Sequence, residues 1–425
     1  MSFREDAEGA SRSAGQRYGP QINEGVFEAG DWSQFERQIF QSLIERTRYI
    51  FDMQEYQLAN RARNASVRKL KIACVSPEFS VGSAGSGAEL EIAAFRDGCK
   101  LVQASAQHRP QRWYGERLTE LRRALDAEPH VVCFSELAYP PPAIEAGRWT
   151  IDGIRHQMEQ HRMFEEAVRQ EQFQRNSEAF LFLGSYHCLL TLYNIGVIYP
   201  WGFRREPIDV RLVSERLARG APERIADLTP VTPPIIYRKR FPARRVEEET
   251  RVPAGQEFNI FQTEFGRLSV LICSDVLDVN QFLAVIRRNR VQDRQLHIDF
   301  VLVPSFNESP LFPEMCRELS AAAGATVIVA NVNHRDADYP DTELYCCGLT
   351  LEELRLIRLA GVTEPLVVVH PDDIQHGGGR HSTVIHYELD LPGIDWLRST
   401  YLQQLQRSGP RGSGPPGNIS EAPLA

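Results

Sequence analysis

"GRLSVLICSD", residues 266–275, begins at a glycine and contains an apolar run, VLI, that stops at a cysteine followed by two polar residues. The apolar run predicts a buried strand, and the segment EFNIFQTEF before Gly266 predicts a partner strand joined to it by a turn. Cys273 then stands where the strand ends. A cysteine at such a position is either a small core residue or a nucleophile held at the mouth of a site.

Around this hairpin, short apolar runs alternate with helical patterns from residue 70 onward. LKIACVS, HVVCFSE, IDFVLVPS and TVIVANV read as strands, and AFLFLGSY with YNIGVIY reads as a strand pair. ERLTELRRALDA and PEMCRELSAAAG have apolar residues at helical spacing, and Pro129 ends the first of these helices. This rhythm predicts an α/β fold in which helices cover two layered sheets.

Composition limits the class of protein. The chain has 425 residues, of which 42% are hydrophobic, so it can fill a sizeable core. A net charge of -8 argues against nucleic acid as a partner. Neither an apolar leader nor a run of the ~18 to 20 apolar residues that a bilayer span needs is present, so a cytoplasmic location without a membrane is expected. Eight cysteines are sparse for this length and are expected to be free thiols.

The two ends of the chain differ from its centre. Residues 1–30 and 407–425 are rich in Gly, Ser, Pro or charge and are predicted to be disordered tails. Residues 31–66 form a predicted helical extension, with Ser33 and Glu36 as a capping box and Phe35 and Ile39 on an apolar stripe. The extension either holds a second subunit or packs on its own domain, which is expected to span residues 67–406.

Two other patterns invite a functional interpretation that the sequence does not favour. The Gly-rich segment VGSAGSGAEL (81–90) lacks the G-K-[ST] ending of a phosphate loop and is predicted to be a plain loop. His376, His381 and His386 have a spacing that suits no metal site and are predicted to lie on the surface. The chain also has no H-E-x-x-H, C-x-x-C or G-x-S-x-G pattern, and we expect no metal and no cofactor.

Three strands end in a single reactive side chain: HVVCFSE in Glu136, PIIYRKRFP in Lys239 and GRLSVLICSD in Cys273. A thiol is a weak nucleophile until it loses its proton, and a shielded carboxylate such as Glu136 can remove that proton. Attack on an amide or nitrile builds negative charge, which the ammonium group of Lys239 and the backbone amide of Ser274 can stabilise. Together these residues form a complete catalytic set.

At these residues the chain resembles the nitrilase superfamily of carbon–nitrogen hydrolases, which carries a Glu-Lys-Cys triad in this order. FLGSYHCLLTLYNIGVIYP, IYRKRF and VIHYELDL are similar to further motifs of that family, and Glu248, seven residues before Gly255, fits its second glutamate. The segments near 201–234 and 335–383 match no family motif and are interpreted as insertions. Ser274 stands where many members have an aromatic residue.

The resemblance implies a four-layer α-β-β-α sandwich of the nitrilase type, assembled as a homodimer or higher homo-oligomer. It also implies hydrolysis of a small-molecule amide or nitrile substrate through a thioester on Cys273, with Glu248 orienting Lys239 or a water. Two alternatives stay open. One is a sensor or assembly module that binds a metabolite or a partner with little turnover, and the other is transfer of the acyl group to an amine.

Overall fold

The computed structural model describes residues 67–83, 86–94, 100–105, 110–142, 151–189, 193–203, 235–241, 255, 258, 260–288, 290–291, 294–295, 297–307, 309–332, 342–357, 365–376 and 380–408. The predicted tail 1–30, the predicted helical extension 31–66, most of the insertion near 201–234, and Glu248 lie outside these ranges. The last helix ends at Ser408, and the rest of the tail predicted for 407–425 lies outside the described residues.

The strands and helices follow one another in a mixed α/β order. The strands are β1 (Lys69–Pro77), β2 (Val81–Ser83), β3 (Leu90–Ala94), β4 (Lys100–Ala104), β5 (Val131–Phe134), β6 (Phe180–His187), β7 (Asn194–Phe203), β8 (Ile235–Arg238), β9 (Ile260–Thr263), β10 (Gly266–Val270), β11 (Arg290–Val291), β12 (Arg294–Gln295), β13 (Phe300–Pro304), β14 (Thr326–Ala330), β15 (Thr342–Cys346), β16 (Leu349–Thr350), β17 (Val367–His376) and β18 (Arg380–Asp390). The helices are α1 (Pro110–Asp126), α2 (Ile151–Gln174), α3 (Val279–Arg288), α4 (Phe312–Ala323), α5 (Leu351–Leu356) and α6 (Leu391–Ser408), and Cys273–Asp278 forms a 3₁₀ turn.

Two larger sheets share one plan. The first has the strand order β17-β18-β1-β5-β6-β7-β8, and the second has the order β16-β15-β14-β13-β10-β9. In the first sheet β1, β5 and β6 are parallel, and in the second β10, β13 and β14 are parallel. The other pairings within these two sheets are antiparallel. Each sheet therefore has a parallel centre, whose carboxyl ends are the usual place for functional side chains.

Apolar packing joins the two sheets. Ile72 and Phe182 of the first sheet belong to the same buried cluster as Val270 and Leu302 of the second. The opposite side chains of the first sheet pack with α1 and α2, and those of the second sheet pack with α3 and α4. Burial of apolar surface on both faces explains why the central strands read as nearly continuous apolar runs.

The strands predicted around the cysteine hairpin are confirmed, including the β6–β7 and β9–β10 pairs. The predicted loop 81–90 is wrong in part, because Val81–Ser83 is a strand that pairs with β3 in a small three-stranded sheet. In the segment 335–383, β15 and β16 extend the edge of one larger sheet, and β17 extends the other.

The prediction of surface histidines is wrong for His376. Its side chain is 6% exposed and lies 3.1 Å from Glu120 Oε1 and 2.9 Å from the Ser382 hydroxyl. The β17–β18 hairpin buries this ring against α1. The contact joins segments far apart in the chain, so the local sequence around the glycines does not predict it. None of the described helices combines the length and apolar character that a membrane span requires.

Candidate active site

Each predicted catalytic side chain follows a strand. Glu136 lies two residues beyond β5, Lys239 directly follows β8, and Cys273 opens the 3₁₀ turn after β10. The strands fix these positions because each is held in a sheet, with β5 and β10 in the parallel centres. All three residues are buried, with 3%, 2% and 1% of their surface exposed. The structure thus places the predicted acid–base group, cation and thiol inside the protein rather than on its surface.

An ion pair joins Glu136 and Lys239. The ammonium Nζ of Lys239 donates to Oε1 of Glu136 at 2.6 Å, and the side-chain amide of Asn194 donates to the same oxygen at 2.9 Å. Oε2 of Glu136 accepts from the backbone N–H of Phe306 at 3.3 Å. Buried charges require such partners, because water no longer compensates them. Both carboxylate oxygens are therefore held in fixed directions.

The thiol of Cys273 lies close to the same backbone segment. Sγ is 3.8 Å from the carbonyl oxygen of Phe306 and 3.6 Å from Nδ2 of Asn307. Cys273 has a φ of 47°, in the left-handed region that residues other than glycine rarely occupy. Such a backbone conformation persists only where the surroundings impose it, and it is frequent at functional sites.

Burial raises the pKa of the Cys273 thiol to about 12. The neighbouring charge of Glu136 adds to the increase, whereas Lys239 and hydrogen bonds from the segment at Phe306 and Asn307 oppose it. The resting side chain is consequently a neutral thiol at physiological pH. Chemistry at this sulfur needs a base that accepts its proton while the new bond forms.

Phe306 links the proposed base to the proposed nucleophile. Its N–H donates to Glu136, and its C=O accepts from the Cys273 thiol. One residue of the loop after β13 thereby contacts both the Glu136 carboxylate and the Cys273 sulfur and keeps them near each other. The sequence predicted that the three strand ends meet, but it did not assign any role to this loop.

Asp275 also organises the site, although no sequence pattern beyond its position after the cysteine points to it. One carboxylate oxygen accepts from the backbone amides of Arg240 and Phe241 at 2.8 and 2.7 Å. The other accepts from the Tyr237 hydroxyl at 2.8 Å and from the Ile272 amide at 3.0 Å. Asp275 thus ties the segment that carries Lys239 to the turn that carries Cys273. Burial raises the pKa of Asp275 to about 6, and Lys239 opposes this increase.

The supporting residues have different outcomes. The hydroxyl of Ser274 donates to the carbonyl oxygen of Phe241 at 2.5 Å, a second tie between the same two segments. The role predicted for the Ser274 backbone amide stays a prediction. Glu248 lies outside the described residues, but Gly255 is described, and its N–H donates to the carbonyl of Lys239 at 2.8 Å.

The remaining groups of chemical interest are the other cysteines and the side chains that could bind a metal. Seven cysteines are described as free thiols, which agrees with the prediction for those seven. Within the described ranges, His, Cys, Asp and Glu side chains form no group of three or more that suits a metal ion.

Comparisons with known proteins found solved structures that resemble this chain, with low sequence identity and low TM-scores. No protein-family model matches the chain, and no curated protein matches it. One solved structure, a cysteine-to-alanine mutant of the Nesterenkonia AN1 amidase from the nitrilase superfamily, has 15% identity and a TM-score of 0.42, covering 80% of this chain and 96% of that chain. A mutant of the same amidase, with the acetamide moiety of fluoroacetamide added at its active-site cysteine, has 14% identity and a TM-score of 0.41, with coverages of 80% and 96%.

A third solved structure is similar over a smaller part. It is the glutamine-dependent NAD+ synthetase from Acinetobacter baumannii, with 12% identity, a TM-score of 0.38 and coverages of 66% of this chain and 42% of that chain. Likenesses at this level carry no argument about activity.

Proposed function

We propose that this chain is a thiol-dependent hydrolase of non-peptide carbon–nitrogen bonds in small amides, carbamoyl compounds or nitriles. The observation that carries the proposal is the contact of one loop residue, Phe306, with both the ion-paired carboxylate of Glu136 and the thiol of Cys273. A carboxylate, a cation and a thiol buried together are unusual in a core that needs only packing, because even a paired buried charge is often no more stabilising than apolar side chains of similar volume.

The proposed reaction begins with an amide substrate. As Sγ of Cys273 bonds to the carbonyl carbon, the thiol proton passes to the carboxylate of Glu136, and the π electrons of the carbonyl move onto its oxygen. Lys239 supplies positive charge for this oxyanion, and the backbone amide of Ser274 is the proposed second donor. Because the cation is fixed by its ion pair, little reorganisation is required when the charge develops.

Collapse of the intermediate completes the first half of the cycle. The C–N bond breaks, the nitrogen takes the proton held by Glu136, and ammonia or an amine leaves a thioester on Cys273. Water then attacks the thioester and gives a proton to Glu136. The thiolate departs as the acid forms and recovers that proton, so neither a metal nor an organic cofactor enters the balance. Glu248 is proposed to orient Lys239 or this water.

The fold proposal follows from the packing of the two larger sheets. We infer that the domain is a four-layer α-β-β-α sandwich of the nitrilase type, since both sheets contribute to one apolar cluster and helices pack on their other faces. Association into a homodimer or higher homo-oligomer and a cytoplasmic location are proposed with it. Acyl transfer to an amine would use the same thioester.

A second candidate function is a sensor or assembly module with little turnover. It is favoured by the burial of Cys273 and by the raised pKa of its thiol, which keep the sulfur neutral at rest. A core cysteine of this kind is chemically inert. The two candidates differ in whether the sulfur becomes acylated.

The experiment that separates them measures ammonia release from a panel of small amides, ureido compounds and nitriles. Cys273→Ala should abolish release, and intact mass spectrometry of the native protein during turnover should find the acyl adduct on Cys273. Cys74→Ala, which removes a thiol from the middle of β1, is the matched control and should retain activity. Unchanged release in Cys273→Ala, with circular dichroism and melting like those of the native protein, would disprove the hydrolase.

A further inference from the structure

The side-chain amide of Asn307 faces the sulfur of Cys273. Nδ2 lies 3.6 Å from Sγ, within the range of an N–H···S hydrogen bond. Asn307 stands three residues beyond the end of β13, in the same loop as Phe306. The sequence offered no reason to assign it a role, because a lone asparagine after a strand is typical of any turn.

The hydrogen bonds of Asn307 determine which end of its amide faces the thiol. Oδ1 accepts from the backbone N–H of Ser309 at 2.7 Å. An N–H requires an acceptor opposite it, so the oxygen must point toward Ser309 and the NH₂ group toward Cys273. The sulfur therefore has a hydrogen-bond donor beside it, not a second acceptor.

Asn331 holds the backbone of Asn307 from the neighbouring strand. Its Oδ1 accepts from the Asn307 N–H at 3.0 Å, and its Nδ2 donates to the Asn307 carbonyl at 2.9 Å. Asn331 is buried and directly follows β14, which is parallel to β13. Because both strands are held in the sheet, this two-way contact fixes the loop and with it the amide at the sulfur.

We propose that Asn307 is a catalytic residue that donates a hydrogen bond to the Cys273 thiolate as the thiol proton leaves for Glu136. In the same proposal Asn331 is a positioning residue that acts through Asn307. The role of Asn307 rests on the proposed hydrolysis for its chemical step. An amide N–H stays a donor at every working pH, and hydrogen bonds to an ionised partner are about twice as strong as neutral ones.

In this proposal Lys239 and Asn307 stabilise two different negative charges. The ammonium of Lys239 is bound to Glu136 and is proposed to act on the substrate oxyanion. The amide of Asn307 acts earlier, on the sulfur itself, where burial opposes the appearance of negative charge. Thiolate formation and oxyanion formation then have separate donors.

The test is the rate at which iodoacetamide alkylates Cys273 in the folded protein, followed by peptide mass spectrometry from pH 6.5 to 10.5. Asn307→Ala should label about tenfold more slowly at pH 7.5, because one hydrogen bond to a charged group corresponds to about that factor in the ionisation equilibrium. Asn307→Asp should label more slowly still. Aspartate keeps the shape and the acceptor for Ser309, but it places a negative charge beside the sulfur.

A structural role gives the opposite order, since the isosteric aspartate would then be milder than alanine. Asn331→Asp keeps an acceptor for the Asn307 N–H, loses the donor to its carbonyl, and should fall between the native protein and Asn307→Ala. Leu311→Ala alters an exposed residue of the same loop and should label like the native protein. Circular dichroism and melting of each variant confirm that the folded state is compared.

The outcomes distinguish this inference from the proposed function. Native-like labelling and turnover in Asn307→Ala would overturn the role of Asn307 and leave the hydrolase intact. The predicted order of labelling without hydrolysis of any substrate would support the donor and contradict the hydrolase. A Cys273 that resists alkylation in the folded native protein, but reacts once unfolded, would overturn both.

Discussion

The ammonium nitrogen of Lys239 and the carboxylate oxygen of Glu136 lie 2.6 Å apart, and both side chains are buried. The pair joins residues that are 103 positions apart in the chain. Its two charges were predicted to serve the same reaction. Their direct contact also makes each a condition for the burial of the other, with consequences for stability as well as for activity.

The first prediction concerns this mutual dependence. Glu136→Gln or Lys239→Met alone should lower the free energy of unfolding by about 3–5 kcal/mol, because each leaves a buried charge without its counter-charge. The double variant, which removes both charges, should recover much of that loss while remaining inactive. Urea unfolding of the four proteins measures the cycle. Additive losses in the double variant would show that the two charges are not coupled.

The second prediction separates electrostatic from nucleophilic roles. Lys239→Ala should lower kcat for a substrate found in the ammonia-release panel by on the order of a hundredfold or more, since a fixed donor for the oxyanion is lost. Cys273 should still be alkylated by iodoacetamide in that variant. Lys69→Ala removes an exposed lysine at the start of β1 and should leave kcat unchanged. Near-normal kcat in Lys239→Ala would remove the lysine from the mechanism.

A third prediction follows from the pKa of the Cys273 thiol, which burial raises to about 12. In the native protein Glu136 takes the proton during attack, so alkylation should depend weakly on pH between 7.5 and 10. In Glu136→Gln the sulfur must ionise into solvent, and the loss of the Glu136 charge lowers the pKa of the thiol. The rate should then rise steeply with pH, by up to about tenfold per unit below that pKa, because the ionised fraction does. Similar slopes in both proteins would contradict a base at this position.

The fourth prediction concerns Asp275, whose pKa is raised from 3.8 to about 6 by burial. A raised carboxyl pKa means that the folded state holds the proton more tightly than the unfolded state does. Proton binding by Asp275 therefore stabilises the folded state. This contribution is complete below the ordinary pKa of 3.8 and is lost as the pH rises through about 6.

Asp275→Asn removes this titration. The free energy of unfolding of the native protein, minus that of the variant, should fall by about 2 kcal/mol between pH 4 and pH 7. Denaturant unfolding at several pH values measures the difference. The variant should also lose activity at every pH, because the asparagine NH₂ group opposes one of the N–H donors that now meet the carboxylate. A pH-independent difference would contradict the shifted pKa.

Periodicity and apolar runs predicted the local structure well where strands are buried on both faces. Cys133 and Val270 lie in such runs, and the glutamate and cysteine beyond them were found by reading where each run stops. Pairing between distant segments could not be predicted in this way. The register of β1 with β18 matches Lys69 with Asp390, and no local pattern encodes a contact across that distance in sequence.

The site was predicted in its reactive groups but not in its supports. Chemical necessity identifies a thiol, a base and a cation, because the reaction fails without them. Asp275, Asn307 and Asn331 hold the loops of the site by hydrogen bonds with backbone groups, which follow from loop geometry and not from a sequence pattern. Their side-chain contacts, Asp275 with the Tyr237 hydroxyl and Asn307 with the Cys273 sulfur, join residues 38 and 34 positions apart. Polar residues after strands are common in turns, so their sequence signal does not differ from the background.

The link through Phe306 has a consequence for how this site can diversify. Both of its contacts, to Glu136 and to Cys273, use the backbone N–H and C=O, which every residue except proline supplies. The Phe306 ring meanwhile stacks on Phe79 at a centroid distance of 5.7 Å. A different side chain at position 306 should therefore change the packing against Phe79 and keep the connection between Glu136 and Cys273. The packing of the ring and the two hydrogen bonds of the backbone thus depend on different atoms of one residue.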